Sequence, residues 1–140
     1  MTKRQIKRRE ENRRTVNESL MKQLEVFQSE SRCKALKRYF EVNSINTMAI
    51  YGGGQVGREF SLICKKSNMI PEYIIDKFVS GEIDGIPIYQ FRNEFLPEVD
   101  AIIIVPCHEK EFIKFEIMNY FTDLCRLIGI DDLLREMEEI

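Results

Sequence analysis

Met48-Ala49-Ile50-Tyr51-Gly52-Gly53-Gly54-Gln55-Val56-Gly57 is the stretch that decides the fold. A short apolar run closed by three glycines reads as a buried strand ending in a tight turn. Gln55 to Lys66 follows as a helix with Val56, Phe60, Ile63 and Cys64 on one side, ended by Asn68 and Pro71. The glycines satisfy Gly-x-Gly-x-x-Gly between strand and helix, and Asp76 lies 24 residues past Gly52, at the end of a second strand, Tyr73-Ile74-Ile75-Asp76. That is the context a dinucleotide-binding turn requires.

Each part of the turn has a physical task under this reading. Gly52 permits the tight turn, Gly54 lacks the β-carbon that would keep a phosphate from the backbone, and Gly57 lets the helix approach the strand closely. Gly53, Gln55 and Val56 complete the cradle. The helix start presents unpaired N–H groups and a partial positive charge to an anion. Asp76 is expected to accept hydrogen bonds from ribose hydroxyls, although Lys77 beside it counts against that role. The plainer alternative is that the glycines only permit a sharp connection and Asp76 is a solvated strand end.

Working outward, Gly81 and Gly85 mark turns before a short extended piece, Ile86 to Tyr89. Ala101 to Val105 is the strongest strand signal, stopped by Pro106. Glu109 to Phe121 reads as a helix with Phe112, Phe115, Ile117 and Phe121 available for packing. Arg126 to Ile130 reads as a last parallel strand, with Asp131 capping a terminal helix to Met137. The acidic run Glu136, Glu138 and Glu139 is expected to be a solvated face. Strands alternating with helices imply an α/β fold, a small doubly wound parallel sheet of Rossmann-like type with helices on both faces.

The first 40 residues obey a different rule: they hold 12 Lys and Arg against 5 Glu, whereas residues 41–140 hold 9 against 18 Asp and Glu. Neither glycine nor proline occurs from Thr2 to Phe40, which predicts one long amphipathic helix. Up to Arg14 the composition is too polar to fold on a core, so that part is expected to be disordered or helical only when bound. Its charge would attract nucleic acid, an anionic membrane surface or an acidic partner, or merely solubilise. Without aromatic interleaving, specific nucleic-acid recognition is not supported. Beyond Arg14, Val16, Leu20, Leu24, Phe27, Ser31, Ala35 and Tyr39 form a stripe at steps of three or four. The stripe can fold back on its own sheet, but its length favours a homodimer through residues 16–40. The division expected is a basic N-terminal helix or tail, 1–44, and a nucleotide-binding domain, 45–140.

From Met48 to Leu134 the chain, with Ile-Tyr-Gly-Gly-Gly-Gln-Val-Gly-Arg, Tyr-Ile-Ile-Asp, Gly-Ile-Pro-Ile-Tyr and Val-Asp-Ala-Ile-Ile-Ile-Val-Pro, resembles the compact Rossmann-like domains of bacterial polysaccharide biosynthesis. These include the N-terminal domains of sugar-nucleotide acyltransferases and of nucleoside-diphosphate-sugar dehydratases. The resemblance implies a site for NAD or a nucleotide-sugar, often beside a separate catalytic domain. No such second domain is in this sequence, and the basic helix lies outside the family pattern.

Other candidates for chemistry are few. Pro106, Cys107 and His108 follow the strong strand at its carboxyl end, where ligands of open α/β sheets bind, so Pro106 joins the cofactor-binding set and Cys107 and His108 are the only weak catalytic candidates. Tyr73 and Lys77 share the spacing of a dehydrogenase dyad, but they bracket a strand, where four residues span about 13 Å, and no dyad follows. Arg58 either reaches a phosphate or is solvated. Cys33, Cys64, Cys107 and Cys125 are 31, 43 and 18 residues apart, which favours reduced thiols over a disulfide framework or a metal site. No apolar run approaches a membrane span and no signal-peptide stretch is evident, so the expected place is the cytoplasm. The function expected is an accessory or regulatory nucleotide-binding module. The alternatives are a small NAD-dependent oxidoreductase or sugar-nucleotide enzyme, and an oligomerisation scaffold with an empty Rossmann-like domain.

Overall fold

The computed structural model of the chain describes residues 1–52, 54–91, 96–121 and 124–138. Six strands form one sheet, β1 (Met48–Tyr51), β2 (Ile74–Asp76), β3 (Gly81–Ile83), β4 (Ile86–Gln90), β5 (Ala101–Ile104) and β6 (Arg126–Gly129), in the order β3-β4-β2-β1-β5-β6. All neighbours pair in parallel except β3 with β4. That antiparallel pair is a hairpin turned by Asp84 and Gly85, whose φ angles of 51° and 85° are those of a two-residue Asp-Gly turn. Gly81 and Gly85 predict turns here, and the structure adds the edge strand Gly81–Ile83.

Helix α3 (Gln55–Lys66) carries the chain from β1 to β2, and α4 (Lys110–Ile117) carries it from β5 to β6. The two crossovers run in opposite directions across the sheet, so their helices fall on opposite faces. On one face Met48, Ile50, Ile74 and Ile103 pack with Phe60 and Ile63 of α3. On the other, Ala49, Ile75, Ile102 and Ile104 pack with Ile113 and Ile117 of α4. The strict alternation along β1 and β5 is the pleat expressed as two cores. Helix α4 is shorter than the sequence suggests and buries its isoleucines; Phe112 and Phe115 remain 61% and 71% exposed. Helix α5 (Ile130–Met137) has Gly129 at its N-cap with no side-chain cap, so Asp131 is not the cap expected. Instead Lys110 Nζ donates to Asp131 at 2.8 Å and to Asp132 at 3.0 Å.

Two helices replace the single one expected before the sheet. Helix α1 spans Lys3–Glu25 and α2 spans Glu30–Val42, separated by a 3-10 turn, Val26–Gln28, and recapped by Ser29, whose hydroxyl accepts from Arg32 N. The basic stretch is helical from Lys3, not disordered: Thr2 and Gln5 form a reciprocal capping box. Its apolar stripe folds back on the chain's own sheet. Leu20, Leu24, Phe27, Leu36, Tyr39 and Phe40 lie in one core with Ile50 and Ile74. The buried residues of the 16–40 stripe are therefore packed within the chain, the fold-back alternative of the sequence reading. Helix α2 ends with Ser44 left-handed (φ 56°), Ile45 N donating to Phe40 O and Ser44 N to Glu41 O, a Schellman stop sealed by Ile45 in the core. Asn68 (φ 59°) ends α3 in the same way, with Met69 N donating to Cys64 O. The acidic terminal run is not purely solvated, because Glu136 accepts the Tyr39 hydroxyl at 3.0 Å; Glu139 lies outside the described residues. Among the described residues no helix is long and apolar enough to cross a membrane.

Candidate functional site

Strand β1 is the point from which the sheet grows in both directions, through β2 and β4 on one side and β5 and β6 on the other. In open α/β sheets the crevice outside the carboxyl ends of the strands at such a reversal is where ligands bind. Two loops meet there: the glycine turn after β1 and Val105-Pro106 with the 3-10 turn Cys107–Glu109 after β5.

Gly52 leaves β1 at φ 112°, a conformation that disfavours any side chain, and its N–H donates to Ile75 O at 2.8 Å. A β-carbon on Gly57 would lie 1.9 Å from the Gly52 carbonyl oxygen, so the first turn of α3 rests directly on the loop. Gly54 is different: a β-carbon there would meet nothing within 4 Å. It caps α3 with no side-chain hydrogen bond, leaving the helix start open. Gly53 lies outside the described residues.

A cavity of about 110 Å³ sits over this turn, lined by Gly52, Gly54, Gln55, Val56, Gly57, Val105, Pro106 and His108, and by Arg13 and Asn17. The last two belong to α1, which therefore crosses the mouth of the crevice. On one side of α1 the cavity adjoins a hollow of about 630 Å³ that shares Arg13, Asn17 and Gln55. Toward α4 it adjoins one of about 500 Å³ that shares His108. The small central volume is well under the roughly 300 Å³ at which drug-sized pockets begin, but the flanking spaces are not.

The participation of α1 is invisible in the sequence, because nothing in a basic, glycine-free helix says what it lies across. Its charge was the one available signal. The contact itself is light: Arg9 reaches Glu109 at 4.0 Å, with both side chains well exposed. Such a pair contributes at most about 1 kcal/mol.

The remaining candidates separate. Cys107 and His108 are neighbours in sequence but not in role: Cys107 packs against the core, while His108 is exposed and lines the cavity. Burial, followed by the nearby Asp131 carboxylate, pushes the Cys107 thiol up, away from the thiolate a nucleophile needs. Asp76 lies at the end of β2 beside the turn, outside the cavity lining. Its Oδ1 accepts from Phe78 N at 2.8 Å and Val79 N at 3.0 Å, so it organises the following turn and is not merely a solvated end. Lys77 is held by Glu116 at 3.0 Å and lies 5.7 Å from the centre of the Phe112 ring. Arg58 points away from the cavity to Asp84 of the hairpin, 3.4 Å off, so it is not a phosphate contact in this arrangement. Tyr73 donates to Pro97 O at 2.6 Å and forms no dyad with Lys77. All four cysteines are free, and among the described residues no group of three or more His, Cys, Asp or Glu is placed to hold a metal ion.

No protein-family model matches the sequence, and comparison with curated proteins and with solved structures found no similar chain.

Proposed function

We propose that this chain is a Rossmann-like nucleotide-binding module that takes the phosphates of NAD or of a nucleotide-sugar at Gly52 and Gly54 to Gly57. The observation that carries the reading is the cavity at the sheet's reversal point, bounded by a helix start with open space at Gly54 and by the cation of Arg13. The open start of α3, with its unpaired N–H groups and helix dipole, and a lining arginine around one small space make an environment for an anion. The strand order on either side of β1 supports the doubly wound reading, since β4-β2-β1-β5-β6 follows the order of a dinucleotide-binding half with two strands beyond it. The flanking hollows have room for the nucleoside and sugar ends.

The role is accessory or regulatory rather than independently catalytic. Cys107 is held protonated and packed, and His108 has no orienting partner among the described residues. A catalytic partner encoded separately, a cytoplasmic setting and a place in polysaccharide or cell-surface sugar biosynthesis rest on the resemblance of Met48 to Leu134 alone. A second reading, a scaffold whose loop takes no ligand, draws on one observation: with α1 across it, the space over the turn is only about 110 Å³.

Thermal-shift screening against NAD, NADP, nucleotide-sugars and coenzyme A separates the two, because a ligand that binds only the folded state raises its stability by mass action. A selective rise with one nucleotide class supports the module. A flat response across the panel leaves the scaffold.

A further inference from the structure

Helix α1 is built in two unlike halves. Its second half is anchored, with Leu20 and Leu24 in the core. Residues 1–15 are exposed without exception, and the first half carries Lys3, Arg4, Lys7, Arg8, Arg9, Arg13 and Arg14 against Glu10 and Glu11. Among the described residues no apolar burial holds it down, and Arg9 bridges to Glu109 of the body. A helical segment of this length without tertiary packing is marginal in water, so it opens at low cost while its continuation stays folded. Yet this loosely held half runs to the mouth of the glycine cavity, where Arg13 and Asn17 form the wall opposite the turn.

We propose that the first half of α1 is a strap that closes on the bound phosphates, with Arg13 as their counter-charge, so that ligand occupancy and docking of α1 are coupled. The inference rests on the phosphate reading of the glycine turn. The space of about 110 Å³ between α1 and the turn holds a phosphate group rather than a whole nucleotide, so the strap acts at the phosphates while the rest of the ligand lies in the flanking hollows. Once an anion is seated, the net positive charge of residues 3–14 is attracted to it and the segment returns. Residues 41–140 carry 18 acidic against 9 basic side chains, a balance that favours a basic helix lying on the body before a ligand arrives. Occupancy would thus be read outside the site as an ordered basic helix, a surface available to a partner only in one state.

The test uses the full chain with inorganic pyrophosphate as probe. Amide hydrogen exchange is followed at Gly54 to Gly57 and at residues 4–17, with and without probe, and pyrophosphate affinity is measured by calorimetry for the wild type, Arg13→Ala and Lys3→Ala. Lys3 removes the same charge about 15 Å further along the helix. The strap predicts slowed exchange in both segments, affinity weakened about tenfold by Arg13→Ala, as for a lost charge-assisted hydrogen bond, and unchanged by Lys3→Ala. Protection of the glycine turn with α1 unchanged, or equal losses for the two variants, overturns the strap and leaves the phosphate site standing. No saturable binding and no protection at the turn overturns the phosphate reading and the strap with it.

Discussion

The Gly52 carbonyl oxygen occupies the place where a β-carbon on Gly57 would be, 1.9 Å from it, whereas the same construction on Gly54 meets nothing within 4 Å. Two glycines of one motif therefore do different things, one for packing and one for open space. Gly57→Ala is expected to destabilise the fold by about 3 kcal/mol or more, since backbone blocks the added methyl. Gly54→Ala, at a φ of −76° that alanine adopts freely, should change stability by less than about 1 kcal/mol while weakening phosphate binding. Urea unfolding and calorimetry of the two variants check the contrast.

Leu24 and Ile6 make a second contrast, along α1. Leu24 is in the same core as Ile50, so Leu24→Ala should cost about 2–5 kcal/mol and lower the single unfolding transition of the whole chain. Ile6→Ala, on the uncovered half, should stay within about 0.5 kcal/mol. Two separate transitions for Leu24→Ala would show that residues 1–44 do not share the core.

Alkaline pH should destabilise the protein. Burial pushes Cys64 and Tyr73 up, Cys125 up to about 11, and Tyr39, with help from its bond to Glu136, up to about 12. Groups whose pKa rises on folding keep their protons in the native state while the unfolded chain has already lost them. The stability they contribute is thus complete below the unfolded thiol value of 9.0 and is lost as pH climbs toward about 12. Urea midpoints under reducing conditions should be flat from pH 7 to 8.5 and fall by pH 10.

Cys107 offers a check on the accessory reading. Its raised thiol should alkylate with iodoacetamide at pH 7 several-fold more slowly than a free cysteine peptide, read by mass spectrometry on the native protein. Faster labelling than the peptide would mark an activated nucleophile and favour an enzyme.

Much of the framework was legible because local signals and tertiary demands coincide in it. The apolar run before Gly52 and the glycines after it specify β1 and the start of α3, and Asn68 specifies where α3 stops by entering the left-handed region. Elsewhere the local signal misled. The stripe from Val16 to Tyr39 keeps its step across Ser29, so the break that Ser29 caps is hidden by the periodicity. Gly81-Glu82-Ile83 carries one apolar residue and is a strand only because Pro87 and its neighbours pair with it. Phe112 and Phe115 look like core residues, but the crossover presents Ile113 and Ile117 to the sheet instead. Asp131 has the chemistry of a cap and is taken by Lys110. At the site, the turn was readable and its roof was not, since Arg13 and Gly54 come to line one cavity through a long-range fold with no local mark.

The central claim is that an anion sits between the start of α3 and Arg13. Backbone amide resonances followed during titration with ADP test it most directly. The account predicts saturable shifts at Gly54, Gln55, Val56 and Gly57, accompanied by Arg13 and Asn17. Saturable shifts confined to another surface, or none at this turn up to millimolar ligand, would contradict it.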